Sequence, residues 1–132
     1  AALARQVRMV DTSEGLKIDL VDDADFSMFA LSTTVLTQDA RLLLDALGAV
    51  LAQEPGALVV RGHTDALGFR PGQGVNNWTL SAGRAEATRQ ALLREGVAPT
   101  RFRRIEGVAD REPLIADAPA DPRNRRISIT VS

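Results

Sequence analysis

Residues 58–85 read LVVRGHTDALGFRPGQGVNNWTLSAGRA, and the way this stretch divides decides most of the fold. Leu58, Val59 and Val60 make a short apolar run that ends in Gly62-His63-Thr64-Asp65. Such a run, bounded by turn-forming residues, reads as a buried central strand. A loop rich in Gly, Pro and Asn follows, with Pro71-Gly72 as a turn. From about Trp78 to Glu95 the apolar spacing becomes helical, with Leu80, Ala87, Ala91 and Leu92 facing inward and Gly96 as the stop. The strand end thus delivers one carboxylate, Asp65, and the first turns of the helix deliver one guanidinium, Arg84. Opposite charges at the top of a strand–loop–helix unit suit a ligand that carries both an ammonium and a carboxylate.

Working outward, Leu16, Ile18 and Leu20 alternate with Lys17 and Asp19, the period-two pattern of a half-buried strand. The acidic turn Asp22-Asp23-Ala24-Asp25 ends it, and Phe26, Met28 and Phe29 are expected core plugs. Thr37 is the expected N-cap of a helix, with Asp39 in the first turn, where the helix dipole favours negative charge. Leu43, Leu44, Leu47, Val50 and Leu51 form its inward stripe, and Pro55-Gly56 stops it. Residues 101–108 read as a third strand, residues 110–122 as a loop rich in Pro, Ala and Asp, and Ile127, Ile129 and Val131 as a closing strand. Residues 1–13 show weak helical spacing without a cap. The predicted domain is therefore residues 15–132, preceded by a linker or lead-in helix over 1–14. The order β-α-β-α-β-β predicts an α/β fold, specifically an α+β sandwich, with a small mixed sheet covered by helices on one or both faces.

With 132 residues the chain has the length of one domain, able to bury roughly 65–70% of its unfolded surface. It has no cysteine, which excludes thiolate metal sites and thiol nucleophiles. The net charge of −1 gives no global field toward nucleic acid or anionic lipid. The two halves differ, however. Residues 1–60 hold four basic and nine acidic side chains, whereas residues 61–132 hold twelve and eight, so the candidate site lies in the positive half. No run approaches the ~20 apolar residues of a membrane span.

Each candidate residue has a plainer reading beside the functional one. Asp65 either tightens the turn after its strand or accepts an ammonium, with His63 and Thr64 on the same rim. Arg84 either covers apolar surface with its stem or pairs bidentately with a carboxylate, including Asp65 itself when no ligand is present. A His63–Asp65–Ser81 triad is disfavoured, since the histidine and aspartate are i, i+2 on one extended segment and no nucleophile-elbow motif is present. One histidine makes a weak zinc site, and Gly68, Gly72 and Gly74 match no phosphate-binding fingerprint. Neither a metal nor a cofactor is expected. The arginines at 101–104 and 123–126 lack the interleaved aromatics that nucleic-acid stacking needs, so a solvated strand face is the expectation there. Asn124-Arg125-Arg126 is the exception, placed where it can reach the Asp65/Arg84 rim.

With these residues in view, the chain resembles the OmpA-like peptidoglycan-binding domains over roughly Gly15 to Val131. The pattern is Gly62-His63-Thr64-Asp65, then Asn77-x-x-Leu80-Ser81-x-x-Arg84-Ala85, then Gly107, Pro113 and Asn124-Arg125-Arg126 before an apolar strand. Within that family it looks most like the periplasmic domains of the MotB type, from flagellar motor stators. Asn77-Trp78-x-Leu80-Ser81, Val108-Ala109-Asp110 with Pro113-Leu114, and Pro122-x-Asn124-Arg125-Arg126-Ile127 carry that likeness, together with the lead-in Leu16-x-Ile18 and Ser27-Met28-Phe29.

The resemblance implies a non-enzymatic anchor that binds the diaminopimelate stem peptide or the glycan of peptidoglycan. Asp65 and Arg84 would contact the diaminopimelate, with Thr64, Leu80, Asn124 and Arg125 completing the rim. It further implies a periplasmic domain of an inner-membrane-anchored protein, a homodimer, and a MotA-like partner reached through a transmembrane segment. A cell-wall anchor of an outer-membrane or secretion-system protein is the alternative. The loop between Asp65 and Asn77 is longer than the family's usual spacing. On this reading Asp65→Asn and Arg84→Ala weaken wall binding with little change in melting temperature.

Overall fold

The computed structural model describes residues 5–66 and 76–132. Five strands form one sheet, β1 (Val7–Thr12), β2 (Gly15–Val21), β3 (Leu58–His63), β4 (Phe102–Gly107) and β5 (Arg126–Val131), in the order β1-β2-β5-β3-β4. Helix α1 (Gln38–Gln53) joins β2 to β3, and α2 (Asn77–Arg94) joins β3 to β4. The β3–β4 pair is parallel, and β5 runs antiparallel to both β2 and β3 between them. The α+β sandwich with a small mixed sheet is thus as expected. The turn expected at Pro71-Gly72 lies outside the described residues, as do the first four residues of the expected lead-in.

The linker or lead-in helix expected over 1–14 is corrected by β1, which pairs with β2 from Val7↔Leu20 to Thr12↔Gly15. Its side chains hid it, because Val7 is half-buried and the other five are exposed, leaving no apolar alternation to read. What holds the strand is its backbone ladder and its turn, where Thr12 Oγ1 donates to the Gly15 carbonyl at 2.7 Å. Gly15 itself is fixed by its φ of +129° and by the Val131 carbonyl against it, leaving no room for a Cβ.

The core lies between one face of the sheet and the helices. Ile18, Leu20, Leu58, Val60, Ile127 and Ile129 meet Leu44, Leu51 and Leu92 there, and the expected plugs Phe26, Met28 and Phe29 are buried with them. Thr37 caps α1 as predicted, its Oγ1 accepting from the Ala40 N–H at 3.1 Å, a contact that contributes about 1 kcal/mol. Val50, expected to face inward, is 59% exposed. It sits roughly 100° around the helix from the stripe marked by Ala40, Leu44 and Leu51, which is the rim. Arg101, expected on a solvated strand face, instead closes the end of α1, donating to the Leu51 and Gly56 carbonyls.

Two glycines set where α2 lies. A Cβ on Gly62 would collide with the Ser81 carbonyl, and one on Gly107 with the Ala82 nitrogen. Their absence lets the first turns of α2 rest directly on the ends of β3 and β4. Asn76 caps this helix, its side chain accepting from the Thr79 N–H at 2.9 Å.

Candidate functional site

The ends of β2 and β3 and the start of β5 meet at one edge of the sheet, since Val21 and His63 both stand opposite Arg126. Three charged residues follow from this register. Asp22 comes directly after β2, Asp65 two residues after β3, and Arg125 directly before β5. Arg125 bridges the two carboxylates, its Nη1 donating to Asp65 Oδ2 at 2.7 Å and its Nε to Asp22 Oδ2 at 3.1 Å. The other oxygen of Asp22 accepts from the Met28 N–H at 2.9 Å, which ties the cluster to the 22–37 segment.

Arg84 enters from the second turn of α2. Its Nε donates to the Thr33 carbonyl at 2.8 Å, and its guanidinium lies over the Phe29 ring, 5.0 Å from the centroid. Two carboxylates and two guanidiniums therefore gather within mutual electrostatic reach. Burial lowers the Arg84 pKa, Asp22 opposes that shift, Arg125 adds to it and Asp65 opposes it. Burial likewise raises the Asp22 pKa, opposed by the Met28 N–H and by the Arg125 and Arg84 guanidiniums.

The expected Asp65–Arg84 pairing is not what forms. Arg125 takes Asp65, and Arg84 is committed to Thr33 and Phe29. Nor is the cluster an open groove. Asp65 and Arg84 are only 5% and 6% exposed, and the crevice beside Arg84 measures about 10 Å³, no more than a water needs. Arg125, with a quarter of its side chain exposed, is the member that solvent reaches most readily.

The other predicted rim residues divide. Thr64 is buried, its N–H donating to the Ala109 carbonyl at 2.9 Å, and Leu80 is buried in the first turn of α2. Asn124 does not reach the cluster. It is 1% exposed and knits the 110–122 loop, with Oδ1 accepting from the Ile115 N–H at 2.7 Å and Nδ2 donating to the Ala118 carbonyl at 2.9 Å. Asp22, Phe29 and Thr33 are site residues that sequence reasoning missed. The signal for Asp22 was its place at the end of an alternating strand, but three acids in one turn made it look like solvated surface.

The triad does not assemble either. His63 Nε2 lies 3.2 Å from Ser128 Oγ, while Ser81 Oγ donates to the Trp78 carbonyl at 3.0 Å and accepts from the Ala109 N–H at 3.1 Å. Burial, and then the cations Arg126, Arg61 and Lys17, push the His63 pKa down to about 3, so its ring is neutral at physiological pH. Among the described residues no group of three or more His, Asp and Glu side chains is placed to hold a metal ion.

This geometry can be set beside known proteins. The sequence pattern of the OmpA family matches residues 28–126, which include the end of the 22–37 segment, both helices, β3, β4, Asp65, Arg84 and Arg125. The chain belongs to the OmpA family. Among OmpA-family relatives, Motility protein B of Escherichia coli K12 is 34% identical over 131 residues, 98% of this chain and 42% of that protein. The chain thus spans about two fifths of the length of that relative. The cell wall anchor of the type VI secretion system (T6SS) of Pseudomonas aeruginosa superposes with a TM-score of 0.78 at 28% identity, covering 97% of this chain and 88% of the other. A putative MotB-like protein of Desulfovibrio vulgaris gives a TM-score of 0.81 at 20% identity, covering 98% and 83%, a likeness of fold alone.

Proposed function

We propose that this OmpA-family domain is a non-catalytic anchor that grips peptidoglycan and so fixes a flagellar motor stator complex to the cell wall. The observation that carries this reading is the balanced cluster of Asp22, Asp65, Arg84 and Arg125 at one sheet edge. An ammonium and a carboxylate on one ligand end can exchange with its internal partners, the ammonium taking Asp65 and the carboxylate taking a guanidinium. The closed crevice means that binding requires Arg125 to swing off Asp65, and its partial exposure supplies the route.

The commitments of Ser81, His63 and Asp65 to separate partners support a binding role over a hydrolytic one. In the whole protein, this domain would lie in the periplasm, tethered to the inner membrane, paired with a second copy and coupled to a MotA-like subunit through a membrane segment outside these 132 residues. The likeness to a secretion-system wall anchor favours one rival, in which the same cluster serves another machine. The residues upstream in the whole protein separate them: a single membrane helix bearing an aspartate marks the motor.

Co-sedimentation with purified sacculi tests the binding claim directly. Asp65→Asn removes one charged hydrogen bond to the ligand, about 2 kcal/mol, or roughly thirtyfold in affinity. Undiminished pelleting of that variant, or soluble wall fragments released by the wild type, sinks the reading.

A further inference from the structure

The sheet has a second face, which the helices leave uncovered. Lys17 and Val59 flank Thr130 there, Asp19 and Arg61 flank Ser128, and His63 stands opposite Arg126. Although helix-free, this face is not simply wet. Asp19, His63, Ser128 and Arg126 are each more than nine-tenths buried. The β1–β2 turn and the 110–122 loop wall it in, the latter through Arg126 Nη2 donating to the Glu112 carbonyl at 2.8 Å. Between them lies a cavity of about 170 Å³.

Buried polar groups in folded proteins nearly always find hydrogen-bond partners. Among the described residues five buried side-chain polar atoms have none, and four of them belong to this face: Asp19 Oδ2, Arg61 Nε, His63 Nδ1 and Arg126 Nε. Arg61, His63 and Arg126 line the cavity, and Asp19 stands behind Ser128.

The proton pattern says what they could receive. Ser128 Oγ gives its single hydrogen to Asp19 Oδ1, so His63 Nε2–H must donate to Ser128 Oγ. His63 Nδ1 is then a bare acceptor, whereas Asp19 Oδ2 stands behind the cavity wall with Lys17 Nζ 3.6 Å away. The two arginine Nε–H groups are donors. Among the residues that line the cavity the set is mixed, two donors and one acceptor.

The charges are also matched. Lys17 stands against Asp19, and Arg61 pairs with Glu106 at 3.3 Å and Glu112 at 3.0 Å. Glu14, on the β1–β2 turn, faces the same cavity as Arg126. Neither an anion nor a cation alone would find the complementary field there. Cavities of roughly 150 Å³ accept a six-membered ring.

We propose that the helix-free face holds a second ligand site, bordered by Lys17, Arg61, His63, Arg126 and Thr130, for a neutral, ring-sized molecule bearing both hydroxyl or amide donors and carbonyl or hydroxyl acceptors. An N-acetylated amino sugar is of this class. The site goes beyond the wall-anchor reading and does not rest on it, since its argument uses none of Asp22, Asp65, Arg84 or Arg125.

The test is a titration of the isotope-labelled 132-residue domain with free N-acetylglucosamine, followed by backbone amide resonances, with sodium acetate as a parallel arm. Saturable shifts are expected at Lys17, Arg61, Ser128 and Thr130 with the sugar and not with acetate. Thr130→Trp, which fills the cavity from its half-buried wall, is expected to weaken them at least about tenfold while the melting temperature stays as in the wild type. Should that variant not fold, Val59→Phe narrows the same cavity from the neighbouring strand. Three outcomes overturn the proposal: no saturable shift with the sugar, shifts confined to the Asp65–Arg125 edge, or acetate reproducing the sugar's shifts. Loss of sacculus binding in the Asp65 variant would leave this result untouched, so the two ideas fail separately.

Discussion

At the scale of single residues, each charge in the cluster has a partner inside the protein. Asp65 holds Arg125, Arg125 also holds Asp22, and Arg84 rests on a carbonyl and a ring. The two central substitutions should therefore behave differently. Asp65→Asn leaves Arg125 its Asp22 partner, so its melting temperature is expected to fall only slightly while wall binding drops. Arg84→Ala strips the Thr33 carbonyl of a charged donor and Phe29 of its cation. We expect a loss of about 2 kcal/mol, visible as a melting temperature several degrees lower, alongside lost binding. The sequence alone leads to the expectation that both variants keep their stability, and an Arg84→Ala protein melting like the wild type would bear that out. The types at 65 and 84 were readable because the motif spacing puts an acid at a strand end and a base on the helix face beside it. Arg125, the partner of Asp65, was readable as a residue able to reach the same rim, whereas Thr33 under Arg84 and Asp22 beside Arg125 were not, because they reach the cluster only through the folded chain.

At the scale of elements, the decisive contact is α2 resting on the ends of β3 and β4. Ser81 is fully buried there and Ala109, with φ of +54°, offers it an N–H while giving its carbonyl to Thr64. Ser81→Ala would leave that buried N–H without a partner, and a loss of about 1–3 kcal/mol in a urea titration is expected. Gly62→Ala should cost more, on the order of 3 kcal/mol, since the Ser81 backbone cannot yield without lifting the helix off the strand. It should also weaken wall binding, because Arg84 rides on the same helix. A Gly62→Ala protein with an unchanged urea midpoint would show that α2 is docked by other contacts. Both helices, the three inner strands β2, β3 and β5, and β4 were legible from periodicity and stop signals. Strand β1 was not, since an exposed edge strand held by its backbone ladder leaves no apolar rhythm.

At the scale of the whole molecule, the two faces of the sheet have opposite characters, apolar under the helices and polar on the other side. The polar face makes stability depend on pH through His63. Its folded pKa, about 3, lies below the ordinary 6.5, so between those values the unfolded chain binds the proton and the folded one does not. The contribution of the neutral ring is therefore complete above about pH 6.5 and is lost as pH falls. Lowering the pH from 6.5 to 5 should remove about 2 kcal/mol from this group, and His63→Gln should flatten that part of the profile. Identical pH profiles for the two proteins would mean that the ring is protonated in the folded state. The asymmetry between an acidic first half and a basic second half also acquires a meaning here, since Asp22 from one meets Arg84 and Arg125 from the other.

What the amino-acid order determined by itself is local: where strands and helices run, which residues stop them, and that an acid and a base flank one loop. Periodicity, caps and glycines act over a few residues, so they can be read without a fold. Which charges pair is a different matter, because Asp22 and Arg125 are 103 residues apart and meet only when β2 and β5 align. Asn124 shows the same limit in reverse, a motif residue beside the cluster in sequence whose amide the folded loop claims for its own carbonyls. Tertiary structure alone decided that the crevice is closed, that Arg125 rather than Arg84 holds Asp65, and that one face of the sheet gathers buried polar groups, since burial and register are properties of the assembled sheet.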